Sequence, residues 1–467
     1  MDRIPQAINL FLQSSCTSLL SGTPTDFGKR MEQVLSASHT MLTAFIPAVL
    51  EEMDDTIALD AKRKEEWTVV RKDQRKLVTA FGEISFERRY YRHKGTGEMA
   101  YLLDQYLGIQ AHAKVNGDVR QKAVTLAGQG SYSKSAAASA VPEISRMSVC
   151  NYVGHLEHFP ELKAEGEKRT VRQLYVEADE DHVSLQDGKK THVKLIYIHE
   201  GTEEKGGRGT LVNSRYFTWP SGGDTEVLWE TVSDYIDQQY VTGDIERIFL
   251  SGDGGSWIRK GEDWLYPCVP VLDGFHTMKA LKKLFGRSQE QSAAFMRHVR
   301  KDEFAKAKDL CRSILKETLE PQREAKRKSA NYLLNNWQRI RNQRHPGAQG
   351  CSAEGHVSHI LSERLSSRPL GWSRGNMENI AQLRVMKANG HVIQYEELRR
   401  AKSGKDAVAA DRSATALVNT PGIRKALKKS AHSSLKNACH NLPIPTNGAT
   451  TQLYQALYGL SFDSVAS

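Results

Sequence analysis

The chain has 467 residues, 65 Lys and Arg against 55 Asp and Glu, and a net charge of +10. This length predicts two to four domains with ample core, and the moderate basic charge suits a nucleic-acid partner without requiring one. Six scattered cysteines without a CxxC pair argue against a zinc ribbon and for a cytoplasmic protein. No apolar run reaches about 18 residues, so no membrane span is expected.

The N-terminal third changes its hydrophobic period. Residues 1–74 carry apolar side chains at helical spacing, which predicts a helical region. Residues 77–86 alternate and contain a glycine turn, so we assign 75–110 to a β-hairpin region. Next, residues 88–92 mix arginines with tyrosines, a pattern that suits either a strand tracking a phosphate backbone or a charged edge strand.

Residues 111–165 read as three short helices, two of them around a tight turn. This pattern predicts a helix-turn-helix-like DNA-binding region whose recognition helix lies over residues 148–155. Ordinary helical hairpins produce the same pattern. The predicted DNA-contacting residues are Arg146, Ser148, Asn151 and Tyr152.

Three predicted strands follow. The first, residues 174–179, ends in an acid and leads into Asp179, Glu180, Asp181 and His182, four side chains able to bind a metal ion. The second is predicted at residues 193–198 and the third at 215–219, followed by an amphipathic helix over 224–238.

Two short apolar runs then each end in an aspartate. Residues 248–250 precede Asp253 and residues 269–272 precede Asp273, and both runs read as buried parallel strands joined by a crossover helix over 256–265. Asp253 with Gly254 is also a common turn pair.

Three antiparallel strands followed by crossover connections is the order of the ribonuclease H-like fold. In that fold, acids at the ends of the first and fourth strands meet, which here pairs Asp179 with Asp253. Two carboxylates brought together repel, which favours Mg²⁺ or Mn²⁺ between them. Two such ions support in-line phosphoryl displacement, and a third acid would complete the site.

The remaining chain contains two candidates for the third acid. After a basic helical segment at about 280–346, whose cations either line nucleic acid or form a solvated face, Glu354 opens a predicted helix. A plain N-terminal helix cap explains Glu354 equally well. Glu378 is the alternative, and residues 399–467 form a basic C-terminal region.

The chain resembles the ISLre family of insertion-sequence transposases, long catalogued as an uncharacterised family. The resemblance covers roughly residues 75–460 and is carried by four motifs: YVEADEDHV from Tyr175, LSGDG from Leu250, VLDGFH from Val271, and CSAEGHVSH from Cys351 with SSRPLGW from Ser366. The chain also resembles, more distantly, Mutator-type transposases. In those proteins the second acid follows a Ser-Asp-Gly-like turn and a Cys/His motif follows the next strand, and Asp273 and His276 occupy the position of that motif.

The resemblance implies a DDE-type transposase using Mg²⁺ or Mn²⁺. It matches Asp179 to the first acid, with Asp181 as rival, Asp253 to the second, and Glu354 to the third, with Glu378 as rival. It implies that His276 contacts the scissile phosphate or the substrate strand, although a structural histidine is equally compatible.

We therefore predict an α/β catalytic core with a ribonuclease H-like mixed sheet and a helical insertion, residues 166–398, behind a helical N-terminal DNA-binding region. The expected partners are terminal inverted repeats and target DNA, bound by a homo-oligomer in the cytoplasm at the nucleoid, with no membrane. The alternatives are an inactive transposase-derived DNA-binding protein and a metal-dependent nuclease without strand transfer.

Overall fold

The structure is a computed structural model that describes residues 3–20, 26–141, 143–205, 208–219, 222–368, 370–399 and 412–440. The chain forms two compact units. Unit 1 comprises residues 1–127, 131–155 and 395–467, and unit 2 comprises residues 128–130 and 156–394. The regions predicted at 1–74 and 75–110 therefore share a unit with the predicted C-terminal region, whereas the region predicted at 111–165 is divided, since residues 128–130 and 156–165 belong to unit 2.

The helices and strands are given in chain order. The helices are α1 Arg3–Leu20, α2 Phe27–Leu59, α3 Ala61–Glu66, α4 Leu102–Leu107, α5 Gly117–Ala127, α6 Tyr132–Ser139, α7 Arg146–Gly154, α8 Thr225–Gln239, α9 Ser256–Arg259, α10 Gly274–Phe285, α11 Gln289–Arg300, α12 Phe304–Glu317, α13 Glu320–Asn335, α14 Trp337–Asn342, α15 Ala353–Val357, α16 Glu363–Leu365, α17 Arg374–Ala388, α18 Tyr395–Leu398, α19 Arg412–Val418 and α20 Pro421–His440. The strands are β1 Trp67–Thr79, β2 Gly82–His93, β3 Met99–Ala100, β4 Gln173–Ser184, β5 Lys190–His199, β6 Thr202–Lys205, β7 Arg208–Leu211, β8 Arg215–Trp219, β9 Arg247–Gly252 and β10 Cys268–Leu272.

Unit 1 is built on the antiparallel hairpin of β1 and β2, which starts at Trp67, before the predicted boundary at 75. The first half of β1 is exposed and charged, so its sequence carries no alternation that marks a strand. Two arginines of β2 serve the packing of this unit. Arg88 forms a buried ion pair with Asp104 at 2.8 Å, and Arg89 binds Asp54 of α2 at 2.6 Å.

The described part of the C-terminal region packs into unit 1. Helices α19 and α20 add apolar side chains to the hydrophobic core around Trp67 and Phe86; they are Ala414, Leu417, Val418, Ile423 and Leu427. Residues 400–411 and 441–467 of the predicted basic region lie outside the described residues.

Among the described residues, α2 is long and apolar enough to cross a membrane by length and composition, and 11% of its most apolar window is buried. The core helix of a soluble protein and a signal sequence meet the same criteria. The C-terminal half of α2 carries Asp54, which is 2% exposed and paired with β2.

Unit 2 is built on a five-stranded mixed sheet in the order β10-β9-β4-β5-β8. β4, β5 and β8 pair antiparallel, whereas β4, β9 and β10 pair parallel. The five predicted strands are present in the predicted order, and α8 buries Leu228, Trp229 and Val232 against one face. The assignment of this sheet to the ribonuclease H-like class stays a prediction.

Two elements of unit 2 differ from their sequence-based predictions. β4 does not end at Asp179 but continues to Ser184, because β5 keeps pairing with it up to Lys190. The predicted crossover helix over 256–265 is instead the short α9 followed by a 3-10 turn, Lys260–Asp263. In that turn, Gly261 packs directly beneath the Trp229 ring, where a Cβ would lie 2.7 Å from the ring.

The helical insertion consists of α10 to α14 and starts directly after β10, earlier than the predicted 280. It has a hydrophobic core of its own, with Leu284, Phe295, Leu333 and Trp337 among its members. The insertion therefore packs as a folded body against the end of β10, and it holds the loop after β9 in place, as shown below.

Gly252 at the end of β9 sets how closely β9 approaches β4. A Cβ there would lie 2.6 Å from the Ala178 carbonyl oxygen and 2.8 Å from Ile258 Cδ1. We expect Gly252→Ala to lower the free energy of unfolding of unit 2 by about 1–3 kcal/mol, as overpacked substitutions do. Urea denaturation followed by tryptophan fluorescence measures this, because six of the seven tryptophans lie in unit 2.

Gly243→Ala is the matched control, since a Cβ at Gly243 meets no atom within 4 Å. An equal urea midpoint for the two variants would show that the close approach of β9 to β4 tolerates a side chain.

Candidate functional site

Three aspartates follow the paired ends of three adjacent parallel strands. The pairing of β4 with β9 ends at Ala178 and Gly252, and Gly252 also pairs with Leu272 of β10. The next residue in each strand is an aspartate: Asp179, Asp253 and Asp273. Because adjacent strands lie about 4.8 Å apart, these side chains occupy one level of the sheet. We call them the carboxylate cluster.

Asp253 lies in a tight loop whose shape depends on the helical insertion. Its Oδ1 accepts a hydrogen bond from the Gly255 N–H at 2.7 Å, and the Tyr332 hydroxyl of α13 donates to its backbone oxygen at 2.6 Å. Gly254 has φ +78°, and a Cβ there would lie 2.7 Å from Asn336 Oδ1. The loop therefore requires glycine at 254 and is held by α13 and the residue after it.

Asp273 caps α10 and orients His276. Its Oδ1 accepts from the Phe275 N–H at 3.0 Å, and its Oδ2 lies 2.9 Å from His276 Nδ1. This hydrogen bond, with the negative charges of Asp273, Asp253 and Asp179, raises the pKa of His276, although burial opposes the rise. Among the described residues, His276 Nε2 makes no hydrogen bond, so protonated His276 has one N–H left for a ligand.

Asp179 is held in a partly buried position near the negative charge of Asp253. Burial raises the pKa of Asp179 to about 6. The hydrogen bond from the Glu180 N–H and the charge of His276 oppose this rise, whereas the negative charges of Asp253 and Glu180 add to it. Carboxylates that repel in this way are stabilised by a cation, and an all-oxygen donor set suits a hard ion such as Mg²⁺. Among the described residues, the ligand atoms of the carboxylate cluster do not all lie within 4.8 Å of one another.

The segment that carries Glu354 lies along the same face of β4 as Asp179. Alternate residues of a strand share a face, so Tyr175, Glu177 and Asp181 lie on the Asp179 side. The Tyr175 hydroxyl donates to the Gly347 carbonyl at 2.7 Å, and the Ser352 N–H donates to Glu177 at 2.6 Å.

Further along, Asp181 Oδ1 accepts from the hydroxyls of Ser362 and Ser366 at 2.9 and 2.7 Å. Since residue 352 is anchored beside Glu177 and residue 362 beside Asp181, α15 passes Asp179. The structure thus brings Glu354 to the strand that holds the first predicted acid.

The flanks of α15 show which way Glu354 faces. Ala353 and Val357 are buried, and because each helical residue turns by about 100°, residues 354 and 356 lie on opposite flanks of that buried face. His356 packs on the Tyr197 ring of β5, with centroids 4.6 Å apart, and bonds the Tyr216 hydroxyl of β8. The exposed Glu354 therefore lies on the other flank, toward the β9 side of β4.

The alternative acids have other positions. Asp181 is 6% exposed and holds the two serines named above, so it anchors the segment. Glu378 lies on α17, which packs against β8. β8 is one edge strand of the sheet, and β10 is the other. Three strand spacings, about 14 Å, separate β8 from β9. Of the two predicted third acids, Glu354 is the one whose segment is anchored on β4, the strand that carries Asp179.

The predicted DNA-contacting residues lie on or beside α7 in unit 1. Arg146 and Asn151 are exposed, whereas Ser148 binds the helix cap Ser145 through its N–H at 3.0 Å. Tyr152 is half-buried against Tyr395, with ring centroids 5.7 Å apart. The tight turn, residues 128–131, joins α5 to α6, while α6 and α7 are joined by the longer segment 140–145.

Sequence reasoning missed Glu177, which is 3% exposed. His199 Nε2 lies 3.1 Å from its carboxylate, and the hydroxyls of Tyr197 and Ser352 also donate to it. Burial opposes ionisation, but the hydrogen bonds from His199 and Tyr197 hold the pKa of Glu177 below its usual value. A glutamate inside an otherwise apolar strand was the available signal.

Comparisons with known proteins match the chain to one family model and to relatives of that family. The model of an uncharacterised protein family, UPF0236, matches residues 26–402. A UPF0236 protein of Caldanaerobacter subterraneus subsp. tengcongensis is 36% identical over 425 residues, which cover 90% of this chain and 88% of the relative. The UPF0236 protein in the vanSb 3′ region of Streptococcus gallolyticus is 24% identical over 443 residues, which cover 90% of this chain and 93% of that relative.

The name of the Caldanaerobacter relative joins eleven loci of one genome, and further UPF0236 relatives at 36% identity come from the same genome. That genome therefore carries many paralogues of this kind of protein.

The hydrogen bond between Asp273 and His276 makes a prediction that needs no substrate. We expect Asp273→Asn to lower the pKa of His276, because the carboxylate that raises it is removed while the amide oxygen can still cap α10. NMR titration of the His276 ring protons measures this pKa. Glu303→Gln, which removes the carboxylate beside His298 in the helical insertion, is the control. An equal pKa of His276 in the two variants would contradict the role of Asp273 in raising that pKa.

Proposed function

This chain belongs to the uncharacterised protein family UPF0236, and on that premise and the geometry of the carboxylate cluster we propose that it is a DDE-type transposase with a ribonuclease H-like core. It cleaves the ends of an insertion sequence in a metal-dependent reaction and transfers the freed strand to target DNA. Its triad consists of Asp179, Asp253 and Glu354.

The observation that carries this proposal is the position of these three acids. Asp179 and Asp253 follow the last paired residues of two adjacent parallel strands, and Glu354 lies on the helix that passes Asp179. Each acid comes from a different part of the chain: Asp253 follows Asp179 by 74 positions, and Glu354 follows Asp253 by 101. Carboxylates placed near one another repel unless a cation offsets their charge, so this arrangement supports a metal-binding role.

Two further observations support it. In the sheet, three antiparallel strands (β4, β5 and β8) are followed along the chain by two parallel strands (β9 and β10), which agrees with the arrangement expected of a ribonuclease H-like core. The many paralogues in one genome are what repeated insertion of a mobile element would produce.

The donor set fits Mg²⁺ or Mn²⁺, with Asp179, Asp253 and Glu354 as the residues that would hold it. Bound there, the ion supplies Lewis-acid stabilisation of charge that develops on a phosphodiester. The chain itself contributes His276, whose raised pKa favours the protonated ring. Held by Asp273, that ring can donate from Nε2 to a phosphate oxygen and neutralise part of its charge.

Helix α10 offers a surface for the substrate strand. It begins beside Asp273, and the residues on either side of His276 expose both apolar and basic side chains. Phe275 is 51% and Met278 60% exposed, and Lys279 Nζ lies 5.6 Å from the Phe275 ring. Lys282 and Lys283 are exposed one turn further along. A flexible strand bound here would stack on Phe275 and pair its phosphates with the lysines.

The helices of unit 1 complete the proposal. We assign recognition of the terminal inverted repeats to α7, through Arg146, Ser148 and Asn151. Tyr152 contributes there through packing rather than contact with DNA, because it lies against Tyr395. The protein then acts on paired ends as a homo-oligomer, in the cytoplasm at the nucleoid.

The triad is tested on duplex DNA that carries the ends of the genomic element encoding this chain. We expect Asp179→Asn, Asp253→Asn and Glu354→Gln each to reduce Mn²⁺-dependent cleavage about a hundredfold or more, as loss of transition-state stabilisation does, while end binding is kept. Glu378→Gln is the matched control and should cleave at the wild-type rate.

Other outcomes would replace this proposal by one of its alternatives. Wild-type protein that binds ends without cleaving them would be an inactive transposase-derived DNA-binding protein. Cleavage without a joined product, when target DNA is supplied, would identify a nuclease. Loss of cleavage in Glu378→Gln but not in Glu354→Gln would move the third acid to α17.

The α10 surface makes a separate prediction about salt dependence. We expect the double variant Lys279→Gln and Lys282→Gln to lower the slope of log affinity against log salt by about 0.7 per lost contact on single-stranded DNA. Lys308→Gln, exposed on α12, is the control. Fluorescence anisotropy across a salt series measures both, and an unchanged slope would exclude α10 from the bound strand's path.

A further inference from the structure

The face of β4 opposite Asp179 carries a second set of metal-competent side chains. Leu174, Val176 and Ala178 lie on that face, in the core beneath α8. Because strand residues alternate, Glu180 and His182 continue the same face past the end of this core. They do not share a face with Asp179, so they are separate from the carboxylate cluster.

Glu180, His182 and His192 form a compact group, here called the His-His-Glu cluster. His182 is the cross-strand partner of His192 on β5, and their ring centroids lie 4.4 Å apart. His192 Nδ1 lies 2.7 Å from the Glu180 carboxylate. One ligand atom from each of the three side chains lies within 4.8 Å of the other two.

We propose that the His-His-Glu cluster binds a divalent transition metal of the Zn²⁺ class. Two imidazole nitrogens and one carboxylate oxygen are the donors that Zn²⁺ prefers, whereas Mg²⁺ prefers oxygen donors alone. Three protein ligands leave a fourth tetrahedral position for water or another ligand. The chain would then hold two chemically different metal sites on the two faces of one strand.

The surroundings are compatible with this assignment. His182 and His192 are exposed and Glu180 is half-buried, so an ion has access. Lys194, the cross-strand partner of Glu180, is bound to the Thr225 hydroxyl at 2.9 Å rather than to the Glu180 carboxylate. Its positive charge reduces the local attraction for a cation without occupying the ligand atoms.

The structural consequence is a tie between β4 and β5. His182 and Glu180 come from one strand and His192 from the next, so a shared ion would fix the end of this hairpin beyond its backbone hydrogen bonds. Metal binding by the folded state should therefore raise thermal stability by mass action.

The test uses untagged full-length protein and Zn²⁺ alone in isothermal titration calorimetry. We expect one Zn²⁺ equivalent for wild type, and a loss of affinity greater than about tenfold in His182→Ala, His192→Ala and Glu180→Gln, since removing even a supporting partner of a ligand costs that much. His298→Ala is the matched control, because His298 has a glutamate partner at 2.7 Å but belongs to no such triad among the described residues.

The Asp253→Asn variant separates this inference from the proposed function. Zn²⁺ binding kept in Asp253→Asn and lost in His192→Ala would support the His-His-Glu cluster whether or not the protein is a transposase. Binding lost in Asp253→Asn and kept in His192→Ala would assign the ion to the carboxylate cluster and overturn the inference. Wild type that binds no Zn²⁺ would overturn it as well.

Discussion

The parallel register of β4, β9 and β10 is the constraint on which the candidate site depends. Hydrogen bonding between these strands aligns Ala178, Gly252 and Leu272, and the residue after each is an aspartate. A shift of one residue in any strand would turn its side chains to the other face of the sheet. Gly252 makes the alignment possible, because no side chain fits between it and the Ala178 carbonyl.

The second constraint is the buried Glu177, which attaches the segment carrying Glu354 to the sheet. A buried carboxylate is costly unless its hydrogen bonds are satisfied. Here His199, Tyr197 and Ser352 satisfy it, and the Ser352 contact fixes the chain two residues before Glu354. Asp181 holds the far end of the segment through two serines. Glu177 and Asp181 thus hold the two ends of the segment that carries Glu354.

Much of unit 2 could be predicted because its signals are local. Strands β5, β8, β9 and β10 follow from short apolar or alternating runs, and the acids after β9 and β10 follow from their position in the sequence. The boundaries failed where a distant contact decided them. β4 extends to Ser184 because β5 pairs with it there, and the segment after Asp253 is only a short helix and a 3-10 turn, with Gly261 packed under Trp229.

The sequence by itself determined the order of the five strands of this sheet, the positions of the acids Asp179 and Asp253 in that order, and the family resemblance, since these depend on local periodicity and on residue identity. Only the tertiary structure placed the Glu354 segment on β4 and the Glu378 helix on β8, and gave Asp181 an anchoring role, because helix packing on a particular strand is not encoded in spacing. It also revealed the pairing of Arg88 and Arg89 with acids and the meeting of His182 with His192. The physical reason is that these contacts join residues far apart in the sequence: helix packing brings acids to Arg88 and Arg89, and cross-strand register brings His182 to His192.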